Sequence, residues 1–215
     1  MRRAIVGCLI LVGTLLPACA APTTTSVPDD GPVVAFYGDS YTRGTGASDP
    51  SVRWSTRIAE SRGWQEFNPS VDGLGYINNR EAAGADLPGQ IISADPDIVL
   101  ITMGLNDVFS YGGAGGRIRQ QIERDFERLH EALPDARLIV VEPFWYTDDR
   151  PASLEVIIEW VRDETEDIGA DHIPGASYWI QGRDGEMALD GIHPNDHGYD
   201  TMTDRMDAAL SELGL

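Results

Sequence analysis

Residues 33–44 read "VVAFYGDSYTRG": an apolar run of five stops at Gly38-Asp39-Ser40, and a further glycine, Gly44, comes four positions after the serine. The run "VVAFY" has the continuous hydrophobicity of a strand covered on both faces, as in a parallel sheet. The Gly-Asp-Ser stretch at its end has two readings. Gly, Asp and Ser are turn residues, and a turn alone would account for them. A serine presented at a strand end can also act as a nucleophile, its own backbone N–H helping to hold the charge its reaction creates.

Working outward, short apolar runs alternate with longer amphipathic ones. The pattern predicts a helix over "SVRWSTRIAESRG" (51–63), a weaker strand near 64–68, and a central strand over "DIVLITMG" (97–104). A strongly amphipathic helix is expected over 117–133, with Ile118, Ile122, Phe126, Leu129 and Leu133 on one face. Strand 137–144, helix 153–169, a short strand near 171–173 and a closing helix over 196–213 complete the order. Strands alternating with helices imply an α/β fold: a doubly wound parallel sheet of about five strands in one three-layer domain. Ligands of such sheets bind beyond the carboxyl ends of the strands. Ser40, Gly73 and Asn106 each come after a predicted strand and should meet at that edge.

Chemistry enters through two further stretches. "LDGIHPNDHG" (189–198) sets Asp190 three residues before His193, a spacing that lets one local turn bring carboxylate and imidazole together. An aspartate capping the last helix, with the histidine incidental, is the plainer reading. Asn106, in "GLND" (104–107), carries a side-chain amide that can donate to an oxyanion or simply cap a helix. In "DGLGY" (72–76), Gly73 and Gly75 fit either close backbone approach or a left-handed turn.

The four stretches taken in order resemble the SGNH (GDSL-type) hydrolase family: "GDSYTRG" its first block, "DGLGY" its glycine block, "GLND" its third, "DGIH" its last. The resemblance spans residues 38 to 193. It implies a flavodoxin-like sheet and ester hydrolysis, with Ser40 as nucleophile, His193 as base and Asp190 orienting it. Ser40 N–H, a glycine N–H (Gly73 in preference to Gly75) and the Asn106 amide would form the oxyanion hole. Tyr41 stands where the family often has leucine, a difference expected to touch packing beneath the serine. An acyltransferase with the same triad, a glycan-binding protein without turnover and a flavin-binding protein on a similar sheet are the rival functions. The last lacks a phosphate-binding first loop.

Other features bound the function further. With 16 basic against 35 acidic residues the net charge is −19, which repels polyphosphate and excludes nucleic acid as a partner. No cofactor fingerprint is present. His193 and His197 lie four apart, but the glutamate of an HExxH metal site is missing, so no metal is expected. "VFSYGGAGG" (108–116), with four glycines, reads as a mobile rim or a plain connector, and Phe109 and Tyr111 are candidate substrate contacts. Phe144, Trp145 and Tyr146 line an acyl or sugar pocket or belong to the core.

The N-terminus has the form of an export signal: Arg2 and Arg3, an apolar segment, then "LPAC" ending at Cys19. Residues 1–20 are read as a signal peptide of lipoprotein type with Cys19 lipidated, or else cleaved to release a secreted protein. Residues 21–32 form a flexible linker and 33–215 the folded domain. The expected location is the cell envelope, with a small-molecule or glycan ester as substrate and membrane contact only through the lipid anchor.

Overall fold

The computed structural model describes residues 30–181, 183 and 185–215. The signal segment 1–20, Cys19 and linker residues 21–29 lie outside them.

Five parallel strands form one sheet in the order β2-β1-β3-β4-β5. They are β1 (Val33–Tyr37), β2 (Gln65–Phe67), β3 (Ile98–Ile101), β4 (Arg137–Val141) and β5 (Asp171–Ile173). The β1–β3 register pairs Phe36 with Leu100 and Tyr37 with Ile101. Alternation along each strand divides the core in two. On one face Val34, Phe36, Leu100 and Ile139 meet α2 (Trp54–Arg62) and α7 (Asp196–Glu212) through Trp54, Ile58, Met202 and Met206. On the other, Ala35, Tyr37, Val99 and Val140 meet α4 (Leu87–Ala94), α5 (Tyr111–Ala132) and α6 (Ala152–Asp167). Burying both faces is why the three central strands β1, β3 and β4 are apolar once Arg137 is set aside, at roughly 1.5–3 kcal/mol for each large side chain covered. Two one-turn helices, α1 (Ser40–Arg43) and α3 (Arg80–Ala83), complete the set.

The chain passes from β1 outward to β2, then crosses back to β3 on the other side of β1. This reversal is the switch point at which such sheets open a crevice. The segments leaving β1, β2 and β3 all emerge there.

One sequence expectation is corrected, and one left open between two readings is decided. Residues 108–116 form no loop: a 3₁₀ turn covers Asn106–Phe109 and α5 begins at Tyr111, so its first turns contain all four glycines. Each glycine costs about 1 kcal/mol in a helix interior. Tyr111, stacked on Trp160 of α6 at 5.9 Å, and buried Ala114 supply the packing that offsets it. Phe144 and Trp145 are buried, Phe144 between Tyr41, Trp54 and Trp179, so of that aromatic trio only Tyr146 is partly open to solvent.

Candidate functional site

The turn after β1 is built by its own residues. The Asp39 carboxylate caps α1, its Oδ1 accepting from Tyr41 N–H at 3.0 Å. Gly44 ends the helix at φ +93, a left-handed conformation that side chains rarely adopt, and returns its N–H to the Ser40 carbonyl. Ser40 is thereby fixed as the first helical residue. Its N–H donates to no group among the described residues.

His193 comes from the far end of the chain. Met187 and Pro194 pair as an antiparallel bridge, and Ala188 N–H donates to the His193 carbonyl at 2.8 Å, so residues 187–194 form a small hairpin. Inside it, Asp190 Oδ1 accepts from the N–H groups of Ile192 (2.9 Å) and His193 (3.0 Å), and Oδ2 lies 2.7 Å from His193 Nδ1. The imidazole contact, then the amide bonds, hold the Asp190 carboxyl down at about 2. The other ring nitrogen, Nε2, is 3.0 Å from Ser40 Oγ. Serine, imidazole and carboxylate thus form one chain of contacts. Such an arrangement can move the serine proton to the imidazole while the carboxylate fixes the tautomer and stabilises the imidazolium.

The donors opposite the hairpin come from β2 and β3. Gly73 lies at φ +69, and its N–H has no acceptor among the described residues. Gly75 N–H is engaged by the Asn78 carbonyl at 3.0 Å, which leaves Gly73 as the free glycine donor of the pair. Gly75 serves another purpose: a Cβ there would stand 2.5 Å from the Asp107 carboxylate. That buried carboxylate accepts from Tyr76 N–H (2.6 Å), Ile77 N–H (2.9 Å) and Asn78 N–H (3.1 Å), pinning the glycine loop to the end of β3. Burial outweighs the three bonds and leaves the Asp107 carboxyl above the usual carboxylate range. A second tie is the Arg80–Asp125 pair, also bonded to the Tyr37 phenol. Asp107 is not legible as a site residue in the sequence, although it sits inside "GLND", because burial and backbone partners leave no trace in residue type.

The Asn106 amide nitrogen donates to the Leu74 carbonyl and to Asp39 Oδ2, each at 3.0 Å. Asp39 is fully buried, and this burial lifts its pKa to about 7, against the pull of the Tyr41 N–H bond. A carboxyl whose folded value exceeds its unfolded one binds its proton more tightly in the folded state. Its contribution is present in full below about pH 4 and lost as pH rises to about 7. The span corresponds to about 4 kcal/mol. Unfolding free energies of wild type and Asp39→Asn, measured by denaturant from pH 4 to 8, should therefore diverge, wild type losing stability relative to the variant. A pH-independent difference would contradict it.

The remaining candidates separate cleanly. His193 uses both ring nitrogens and His197 is exposed, 4.0 Å from Asp200, so the two do not converge on one point. Phe109 is 63% exposed and tilted against Trp145 at 6.4 Å, on the rim beyond Asn106. Tyr111 faces α6. Tyr41 does more than pack: its phenol donates to the Ile192 carbonyl in the hairpin.

Comparison with known proteins bears on the family and the fold. The chain is 25% identical over 187 residues to the GDSL lipase Rv0518 of Mycobacterium tuberculosis, covering 83% of this chain and 81% of that protein. Its fold is similar to TesA (TM-score 0.69, 20% identity, 84% of this chain and 99% of that one). It is also similar to the acetyl xylan esterase AlAXEase (TM-score 0.62, 17% identity, 82% and 98%). The family model of the GDSL-like Lipase/Acylhydrolase family matches residues 36–201, from the strand before Ser40 to the helix after His193, and the chain belongs to that family of hydrolases.

Proposed function

We propose that the protein hydrolyses carboxylic esters through an acyl-enzyme on Ser40 Oγ, acting on small acyl groups such as O-acetyl esters of envelope carbohydrate. The observation that carries the reading is the 3.0 Å contact between Ser40 Oγ and His193 Nε2, with Nδ1 on Asp190. His193 takes the serine proton as Oγ bonds to the ester carbon. The carbonyl electron pair moves onto oxygen, facing the N–H groups of Ser40 and Gly73 and the Asn106 amide. The pair then returns, the C–O bond to the alcohol breaks, and the alcohol leaves with the proton from His193. Water repeats the sequence on the acyl-enzyme and releases the acid. Because the oxyanion attracts donors more strongly than a neutral carbonyl does, it draws the Asn106 amide away from Leu74.

Carbohydrate is favoured by the open aromatic rim of Phe109 and Tyr146, whose faces suit a sugar ring. The likeness to an acetyl xylan esterase points the same way. Export through the N-terminal segment, with Cys19 lipidated, completes the proposal. A lipid label incorporated by wild type and absent from Cys19→Ala is its check.

Activity is tested with p-nitrophenyl esters of increasing acyl length. The expected profile is Ser40-dependent turnover that falls beyond acetyl or butyryl. Equal rates on long chains would replace acetyl removal with lipid ester hydrolysis. No turnover and no labelling of Ser40 by a fluorophosphonate would leave carbohydrate binding without chemistry.

A further inference from the structure

The Asp190–His193 hairpin is held together by bonds of its own. The two Asp190 amide bonds, the contact to Nδ1, the Ala188–His193 bond and the Met187–Pro194 bridge all lie within residues 187–194. They orient the imidazole against its carboxylate. None of them fixes the imidazole relative to Ser40. The tip is open to solvent, Leu189 wholly and Ile192 at 43%.

Tyr41 supplies what is missing. It is fully buried and seated in the sheet core: its N–H donates to Asp39, its carbonyl accepts from Trp54 Nε1 at 3.0 Å, and its ring stacks on Phe144 at 6.0 Å. Its hydroxyl then crosses to the Ile192 carbonyl, 151 residues along the chain. Apart from the Ser40–His193 contact itself, this is the one hydrogen bond from residues 188–194 to the sheet core among the described residues. The base of the hairpin is held separately, Asn195 at the start of α7 donating its side-chain amide to the Met187 carbonyl at 3.0 Å. Nearer the imidazole the remaining restraint is steric: Gly46, at φ +94, lets residues 44–48 press against the hairpin, and a Cβ there would stand 2.4 Å from the Pro194 carbonyl oxygen. A contact of that kind stops the hairpin from moving inward and does nothing to stop it from moving out. An aliphatic side chain at position 41 would fill volume and make no bond.

We infer that Tyr41 is a positioning residue, its phenol tethering the histidine hairpin at the distance from Ser40 that lets Nε2 reach Oγ. The inference rests on the proposed roles of Ser40 and His193. Displacing a reacting group by about 1 Å can cost about a hundredfold in rate, and substrate binding has no part in this tether. Tyr41→Phe should therefore lower kcat on p-nitrophenyl acetate by about 10- to 100-fold with KM within about twofold. Amide hydrogen exchange should quicken in residues 188–193 and stay unchanged in β1.

The purified protein and its Tyr41→Phe variant are compared by turnover, circular dichroism and hydrogen exchange, with fluorophosphonate labelling of wild type as the reference. A folded variant with wild-type kcat overturns the inference. So does a loss of kcat that tracks the folded fraction, with exchange unchanged at 188–193, since that is the behaviour of a packing residue. Should the phenylalanine variant not fold, 4-fluorophenylalanine at position 41 fills the hydroxyl's volume without donating, and the same outcomes apply. A wild type that resists the label and shows no Ser40-dependent turnover removes the catalytic reading first, and the role of Tyr41 with it.

Discussion

Ser40→Ala is expected to lower kcat on short-chain esters by about a million-fold, to the level left by binding and the oxyanion donors alone. The size reflects how the three groups depend on one another. His193 Nε2 has its one polar partner among the described residues in Ser40 Oγ, so without the hydroxyl there is no proton for it to take. His193→Ala should be about as damaging, and the double variant little worse than either, because each change disables the same step. Asp190→Ala should cost less. Its side chain is 47% exposed, and water can partly solvate the imidazolium in its place. Steady-state kinetics on the four variants, with active-site titration of wild type, give the comparison. A Ser40→Ala protein retaining a per cent of wild-type turnover would take the serine out of the chemistry. Multiplicative losses in the double variant would mean that Ser40 and His193 act separately.

For Asn106→Ala the expected loss in kcat is about 10²- to 10³-fold, or about 2.7–4 kcal/mol of transition-state stabilisation, with KM nearly constant. The free protein shows why KM should be spared. The Asn106 amide is already bonded to Leu74 and Asp39, so a neutral ester carbonyl gains little by competing for it. Only the charge developed on the oxygen is strong enough to win the exchange. An interaction realised in the transition state alone appears in kcat. A variant that raised KM at unchanged kcat would recast Asn106 as a residue that binds the ground state. Structural collapse is a weak alternative here, because the glycine loop keeps its Asp107 and Arg80–Asp125 ties without Asn106.

Continuous apolar runs make β1, β3 and β4 readable directly, since a strand buried on both faces has no polar position to obscure it. Ser40, Asp190, His193 and Asn106 are readable for a different reason: the proposed chemistry demands particular side chains, Ser40 and Asn106 just past strand ends and Asp190 three residues before His193. The helix α4 escapes because Pro88 and Gly89 stand in its first turn. There they cost little, the proline needing no N–H and Gly89 donating its own to the Asp86 cap. The start of α5 is hidden behind four glycines whose cost is met by a contact with α6, 49 residues further on for Tyr111 and Trp160. Partners so distant leave no periodic signal. Tyr41 is the sharpest case. Its residue type is plain in the sequence, but its bond to Ile192 exists only once the last loop has been brought back over the first strand.

Ser40, Gly73 and Asn106 hang from three adjacent strands, whereas His193 rides on a hairpin outside the sheet, with Gly191 at its tip in a left-handed turn. Inactivation and denaturation are therefore separable events. A single protease cut beside Leu189, or a local opening that releases residues 188–193, would silence the enzyme while leaving the sheet, its far-ultraviolet spectrum and its cooperative melt intact. Warming should accordingly extinguish turnover at a lower temperature than it unfolds the domain. Activity lost in that interval should return on cooling, as the hairpin settles back onto a scaffold that never came apart.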